Sequence, residues 1–134
     1  MEGSVGPERL NQEGFAAFAG RGGEEAPVVM LNLLRFDPEK REAYEKYAES
    51  IQPFLDEMGA SIIYVGDCSS LLVGPATHEW DAILLVRYPS RQAFSSMVAN
   101  PDFQAITGLR TESLSEAVLQ ATIPWPSSPH PAGD

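Results

Sequence analysis

Apolar and polar positions alternate most regularly between residues 27 and 123. Pro27 opens a near-continuous apolar run, Val28-Val29-Met30-Leu31-Asn32-Leu33-Leu34-Arg35-Phe36, and the Asp37-Pro38 breaker closes it. A strand that is apolar on both alternating faces needs cover on both sides. Asp37 then reads as a helix cap, with Pro38 at the first helical position and Glu39 and Glu42 near the positive end. Tyr44, Tyr47, Ala48, Ile51, Leu55 and Met58 recur at three- and four-residue spacing, and charged residues fill the opposite face. Pro53 should bend this helix and Gly59 should end it.

The run at 61–65 reads as a strand, followed by a turn at Asp67-Cys68-Ser69-Ser70. A second extended piece, Leu71-Leu72-Val73, stops at Gly74-Pro75. Residues 81–88 form another strand apolar on both faces. Pro89 ends it, and Ser90 caps a helix carrying Phe94, Met97 and Val98. Asn100-Pro101-Asp102 restarts a short helical turn with Phe103 and Ile106 inward, and residues 117–123 make the last strand. Outside this domain (27–123), residues 1–26 are a Gly-rich lead-in predicted to hold one accessory helix around Phe15, Ala16, Phe18 and Ala19. Residues 124–134 carry four prolines and are predicted to be a flexible tail.

The order strand, helix, strand hairpin, strand, helix, strand is the split βαβ pattern. It predicts an α+β fold: a ferredoxin-like βαββαβ sandwich with an antiparallel sheet. Helices cover one face of such a sheet. Val28, Met30, Leu34 and Phe36 alternate with Val29, Leu31 and Leu33, and Ile83 and Leu85 with Leu84 and Val86, so both faces are apolar, and a second copy is the simplest cover for the second. The expectation is a homodimer joined sheet to sheet, a dimeric α+β barrel.

Charge narrows the partners. The 134 residues carry a net charge of −10, which disfavours nucleic acid and anionic membrane surfaces. Twelve of the 19 acidic residues fall in residues 1–60, on the lead-in and the outer helix face, so they read as a solvated skin. No apolar run approaches the roughly 18 residues of a membrane span. The start, Met1-Glu2-Gly3-Ser4, lacks a basic, apolar signal pattern, and the single cysteine, Cys68, rules out an internal disulfide framework. A cytoplasmic location is expected.

Three segments then carry a resemblance. They are the 28–36 run, Glu79-Trp80-Asp81-Ala82-Ile83-Leu84-Leu85-Val86-Arg87-Tyr88-Pro89-Ser90-Arg91, and Asn100-Pro101-Asp102-Phe103-Gln104-Ala105-Ile106. In this order they resemble the bacterial family called domain of unknown function 1330, over roughly residues 27–123. The resemblance implies membership of the dimeric α+β barrel superfamily, which includes cofactor-free monooxygenases, muconolactone isomerases and haem proteins. It transfers a fold and a pocket location, not an activity. Members of the family often carry a histidine where this chain has Leu109, before Arg110-Thr111, so the resemblance implies no acid–base residue there.

Candidate chemistry is sparse, and no catalytic residue is assigned. Asn32, inside an apolar strand, reads either as a pocket donor or as a hydrogen-bonding residue of the dimer seam. Arg87 shares parity with Asp81, Ile83 and Leu85, so its guanidinium reads as an anion holder or as half of an ion pair. Arg110 has the same two readings. Tyr44, Tyr47, Tyr64, Tyr88, Met97 and Phe103 read as pocket lining or as core, with Tyr64 or Tyr88 able to assist proton transfer. His78-Glu79-Trp80-Asp81 gathers acid–base groups in one loop, but the only other histidine is His130, so neither a metal nor haem is expected. The functional expectation is a cofactor-independent enzyme acting on a small, partly apolar molecule between helices and sheet. The alternatives are a non-catalytic binding module and a dimeric interaction protein without a pocket.

Overall fold

In the computed structural model of the protein, Gly14 and residues 26–125 are described. The accessory helix expected at residues 15–19 and the tail beyond residue 125 lie outside the described residues.

Over residues 26–125, four strands and three α-helices follow in the order β1 (Val28–Phe36), α1 (Arg41–Met58), β2 (Ser61–Asp67), β3 (Ala82–Tyr88), α2 (Arg91–Ala99), α3 (Pro101–Ser113) and β4 (Leu114–Thr122). One antiparallel sheet in the order β2-β3-β1-β4 holds all four strands. This is the ferredoxin-like α+β fold. The two strands that are apolar on both sides, β1 and β3, occupy its centre, where neither is an edge.

Side chains alternate across the sheet. Val28, Met30, Val86 and Tyr88 form the main core with Leu55 of α1, Phe94 and Met97 of α2, and Phe103 of α3. The helices therefore cover the face that carries the even-numbered residues of β1 and β3. Val29, Leu31 and Leu33 pair with Arg87, Leu85 and Ile83 on the opposite face, which carries none of these three helices. In β2 the register shifts between Ile62 and Tyr64, so Ile62 and Val65 take the helix side while Tyr64 pairs with Leu85 on the other.

Local chemistry explains the element ends. Ser90 Oγ accepts from Ala93 N at 3.1 Å, and Asn100 Oδ1 accepts from Asp102 N at 2.8 Å, so α2 and α3 both start on side-chain caps. Pro101 occupies the start of α3, where a missing N–H is harmless. Gly59 closes α1 in the left-handed conformation, at φ 72°, which favours glycine.

Four expectations need correction. Helix α1 begins at Arg41 rather than after Asp37, because Asp37 N still donates to Ser113 O at 2.8 Å and extends the β1–β4 pairing. Asp37 O then accepts from Lys40 N at 2.9 Å and makes a turn of Pro38-Glu39. The Leu71-Leu72-Val73 piece is no strand: it forms no ladder, and Leu72 and Val73 stand almost fully exposed. The short turn expected after Pro101 is a helix of 13 residues. Strand β4 begins at Leu114, three residues before the expected start, because Leu114 pairs with Phe36 beyond a register shift.

Candidate functional site: a cavity between the helices and the sheet

A cavity of about 1090 Å³ lies between the helices and the sheet. Its floor is the helix side of the sheet, with Met30, Asn32, Leu34, Leu84, Val86 and Tyr88. Helix α1 contributes Tyr44, Tyr47, Ala48 and Ile51 on successive turns of one stripe, and α2 contributes Phe94 and Met97. Helix α3 turns a different face to it: Gln104, Thr107, Arg110 and Thr111 line the cavity, spaced as one side of a helix. This volume exceeds the roughly 300–1000 Å³ typical of small-molecule pockets.

Three phenols and one guanidinium stand among the polar groups that line this chamber. Tyr47 and Tyr88 are buried and Tyr44 is half-buried. The Tyr44 and Tyr47 ring centroids are 5.6 Å apart. Burial raises the pKa of all three phenols above the ordinary 10.0, by a wide margin for Tyr47 and Tyr88. The Arg110 guanidinium partly offsets that rise in each, so one cation faces three phenols. Near neutral pH the hydroxyls are protonated donors and cannot act as bases. Among the described residues, none of the three hydroxyls has a hydrogen-bond partner.

The rim carries the opposite balance of charge. Arg41 Nη2 donates to Asp67 Oδ1 at 3.0 Å, tying the start of α1 to the end of β2, and Glu45 lies 3.9 Å from Arg41 Nε. The Arg41 guanidinium also sits 4.8 Å from the Phe36 ring centre. All three charged side chains are more than half exposed, so the pairs are screened and contribute little stability.

Of the residues predicted as a site, the structure brings Asn32, Tyr88, Met97, Phe103 and Arg110 to the cavity. Asn32 is buried on the helix side of the sheet, so it is not a residue of an open-face seam. Its Nδ2 donates to Leu84 O at 3.4 Å, a long bond that leaves the amide oxygen toward the chamber without a partner among the described residues. Tyr64, Asp81 and Arg87 are corrected to other places. Arg87 does share parity with Ile83 and Leu85, but that face is not the one α1, α2 and α3 cover, and the residue is exposed. Tyr64 lies on the same face, its phenol folded over Gly66. Asp81 is a fastener: its Oδ2 accepts from Phe36 N at 2.8 Å, and its backbone bonds both Leu34 and Cys68.

The neighbouring loop is also structural. Arg35 pairs with Glu116, donates to Thr77 O and Glu79 O, and stacks its guanidinium 4.5 Å from the Trp80 ring centre. Among the described residues, no group of three or more His, Cys, Asp or Glu side chains gathers to hold a metal ion. No described helix is long and apolar enough to cross a membrane.

Gln104, Thr107 and Thr111 were not predicted as site residues. Their signal was the weak amphipathicity after Pro101: a helix that turns polar side chains inward lacks an apolar stripe.

Comparison with known proteins agrees with this architecture. A protein of unknown function from Rhodopseudomonas palustris superposes with a TM-score of 0.82 at 27% identity, covering 90% of this chain and 98% of its own. A dimeric protein of unknown function with a ferredoxin-like fold, from Bacteroides fragilis, gives a TM-score of 0.50 at 14% identity over 72% and 94% of the two chains. The hydroxynitrile lyase of Passiflora edulis gives 0.56 at 11% identity over 78% and 99%. The last two likenesses show the fold alone. No curated protein matches the chain in sequence. Residues 31–121 match the family described as Domain of unknown function (DUF1330), and the chain belongs to that family.

Proposed function

We propose that the protein binds a small, partly apolar molecule in the helix–sheet cavity and polarises one of its oxygens. One observation carries the reading: Arg110 and three buried or half-buried phenols meet in a chamber whose other walls are mainly apolar. Hydrogen bonds gain strength where water is excluded, and charge-assisted ones gain most. Donors fixed in such a place stabilise negative charge that develops on a carbonyl or enol oxygen. The reading placed first is therefore an enzyme needing only its own side chains, with Tyr44, Tyr47, Tyr88 and Arg110 as oxygen-binding donors and Asn32 as a positioning amide. A second reading, binding without turnover, has its own support. Burial keeps the phenols protonated, so the inner cavity supplies donors and no base.

The sheet face opposite α1, α2 and α3, with Leu31, Leu33, Ile83 and Leu85, is proposed as the seam of a homodimer, by analogy with the dimeric B. fragilis neighbour. An exposed, free Cys68 suits a reducing, cytoplasmic setting.

The test combines thermal-shift screening of small aromatic and alicyclic ketones, acids and enols with turnover assays on every hit. Stabilisation that falls about tenfold in apparent affinity in Tyr88→Phe or Arg110→Gln supports the site. Turnover of a hit selects the first reading and its absence the second. Hits unaffected by either substitution contradict both.

A further inference from the structure

The charges around the cavity specify more than a generic ligand. At the rim, Arg41 is engaged by both Asp67 and Glu45, so the exposed trio carries one net negative charge. Apart from that trio, the charged residue among the described lining is Arg110, a half-buried cation on α3. A guanidinium offers five N–H donors in a planar fork, so any bond it already makes leaves others for a ligand. The less exposed part of the cavity thus carries this guanidinium and the exposed rim an acid surplus, on a chain whose net charge is −10. A ligand with an anionic group is drawn in acid first, and the reverse orientation meets Asp67 and Glu45. Repulsion from the distant acidic skin does not cancel this preference, because exposed charges are screened within about 8–10 Å at moderate salt.

The apolar walls specify the rest of the molecule. Phe36, Tyr44, Tyr47, Tyr88, Phe94 and Phe103 all line the chamber. Several already meet edge to face: Tyr88 with Phe94 at 5.1 Å between ring centres and 84° between planes, and Phe36 with Tyr44 at 5.4 Å and 68°. Ring edges and faces arranged this way favour another flat π-system. Met30 and Met97 add flexible thioethers that pack well against ring edges. Resting on the reading that this cavity binds a small molecule, we propose that its ligand is an aromatic compound bearing an anionic oxygen group, held acid-inward by Arg110 and the tyrosine hydroxyls. At about 1090 Å³ the cavity has room for at least two fused rings.

The test uses 2-naphthoate, its neutral counterpart 2-naphthamide and the saturated decahydro-2-naphthoate, titrated calorimetrically into the full chain. The wild type is expected to bind 2-naphthoate at least tenfold more tightly than either of the others. Arg110→Gln should weaken the acid far more than the amide and so erase most of the preference for acid over amide. Arg110→Lys, which keeps the charge, should retain part of the preference, so loss of fold is separated from loss of charge. Thr107→Trp, which fills the cavity from α3, should abolish binding of all three. Equal affinity for acid and amide in the wild type, a preference that survives in Arg110→Gln, or a saturated acid that binds as tightly as the aromatic one, overturns the proposal. If none of the three binds, or if Thr107→Trp binds them unchanged, the cavity reading beneath it fails as well.

Discussion

The tyrosines determine what the cavity does at each pH. A phenol whose folded pKa lies above its unfolded value stays protonated longer in the native state than in the unfolded chain. Its contribution is complete below the unfolded value of 10.0 and is lost progressively above it, as the unfolded chain ionises first. The protein is therefore expected to hold its stability through neutral pH and to lose it steeply above about pH 10. Urea unfolding followed by circular dichroism from pH 8 to pH 11.5 checks this, and Tyr47→Phe combined with Tyr88→Phe should flatten the alkaline fall. A decline of equal steepness in the double variant would assign the loss to other groups. Leu55, fully buried beneath α1, tests the packing that frames the chamber. Leu55→Ala should cost about 2–5 kcal/mol, read from the same unfolding curves, and a cost below 1 kcal/mol would mean that the core there relaxes freely.

At the scale of elements, what was legible in the sequence followed the strength of local chemistry. The β1 and β3 runs, the Ser90 and Gly59 boundaries and the stripe of α1 stand in the sequence because propensity, capping and burial agree there. The start of α1 was misplaced because Asp37-Pro38 has every local feature of a helix start. A tertiary bond from Asp37 to Ser113 decides otherwise, and no window of sequence contains both residues. Arg87 shows the same limit at the site. Alternation gave its parity, but which face the helices cover depends on the whole topology. Tyr44 and Tyr47 sat on the α1 stripe in plain view and read equally well as core. The cap of α2 offers a direct check: Ser90→Ala should lower stability by about 1 kcal/mol, with amide exchange rising first at Ala93. The Arg35 clasp offers another. Arg35→Ala removes the Thr77, Glu79 and Trp80 contacts together and should open the 76–80 loop to limited proteolysis, with the β1–β3 ladder left protected.

The molecule as a whole divides its sheet into two apolar faces. One is roofed by helices that leave a chamber; the other presents Leu31, Leu33, Ile83 and Leu85 away from α1, α2 and α3. Sedimentation at micromolar concentration is expected to give twice the monomer mass, and Leu31→Glu with Leu85→Glu should halve it while far-ultraviolet circular dichroism stays unchanged. The central claim concerns the roofed face, and its methionines report on it separately. Met30 and Met97 line the cavity, whereas Met58 packs against the core without lining it. The most direct measurement is a methyl NMR titration of methionine-labelled protein with 2-naphthoate. Saturable shifts at Met30 and Met97, with Met58 little moved, are predicted. Resonances of Met30 and Met97 that stay in place while the acid binds elsewhere, or does not bind at all, would contradict the account.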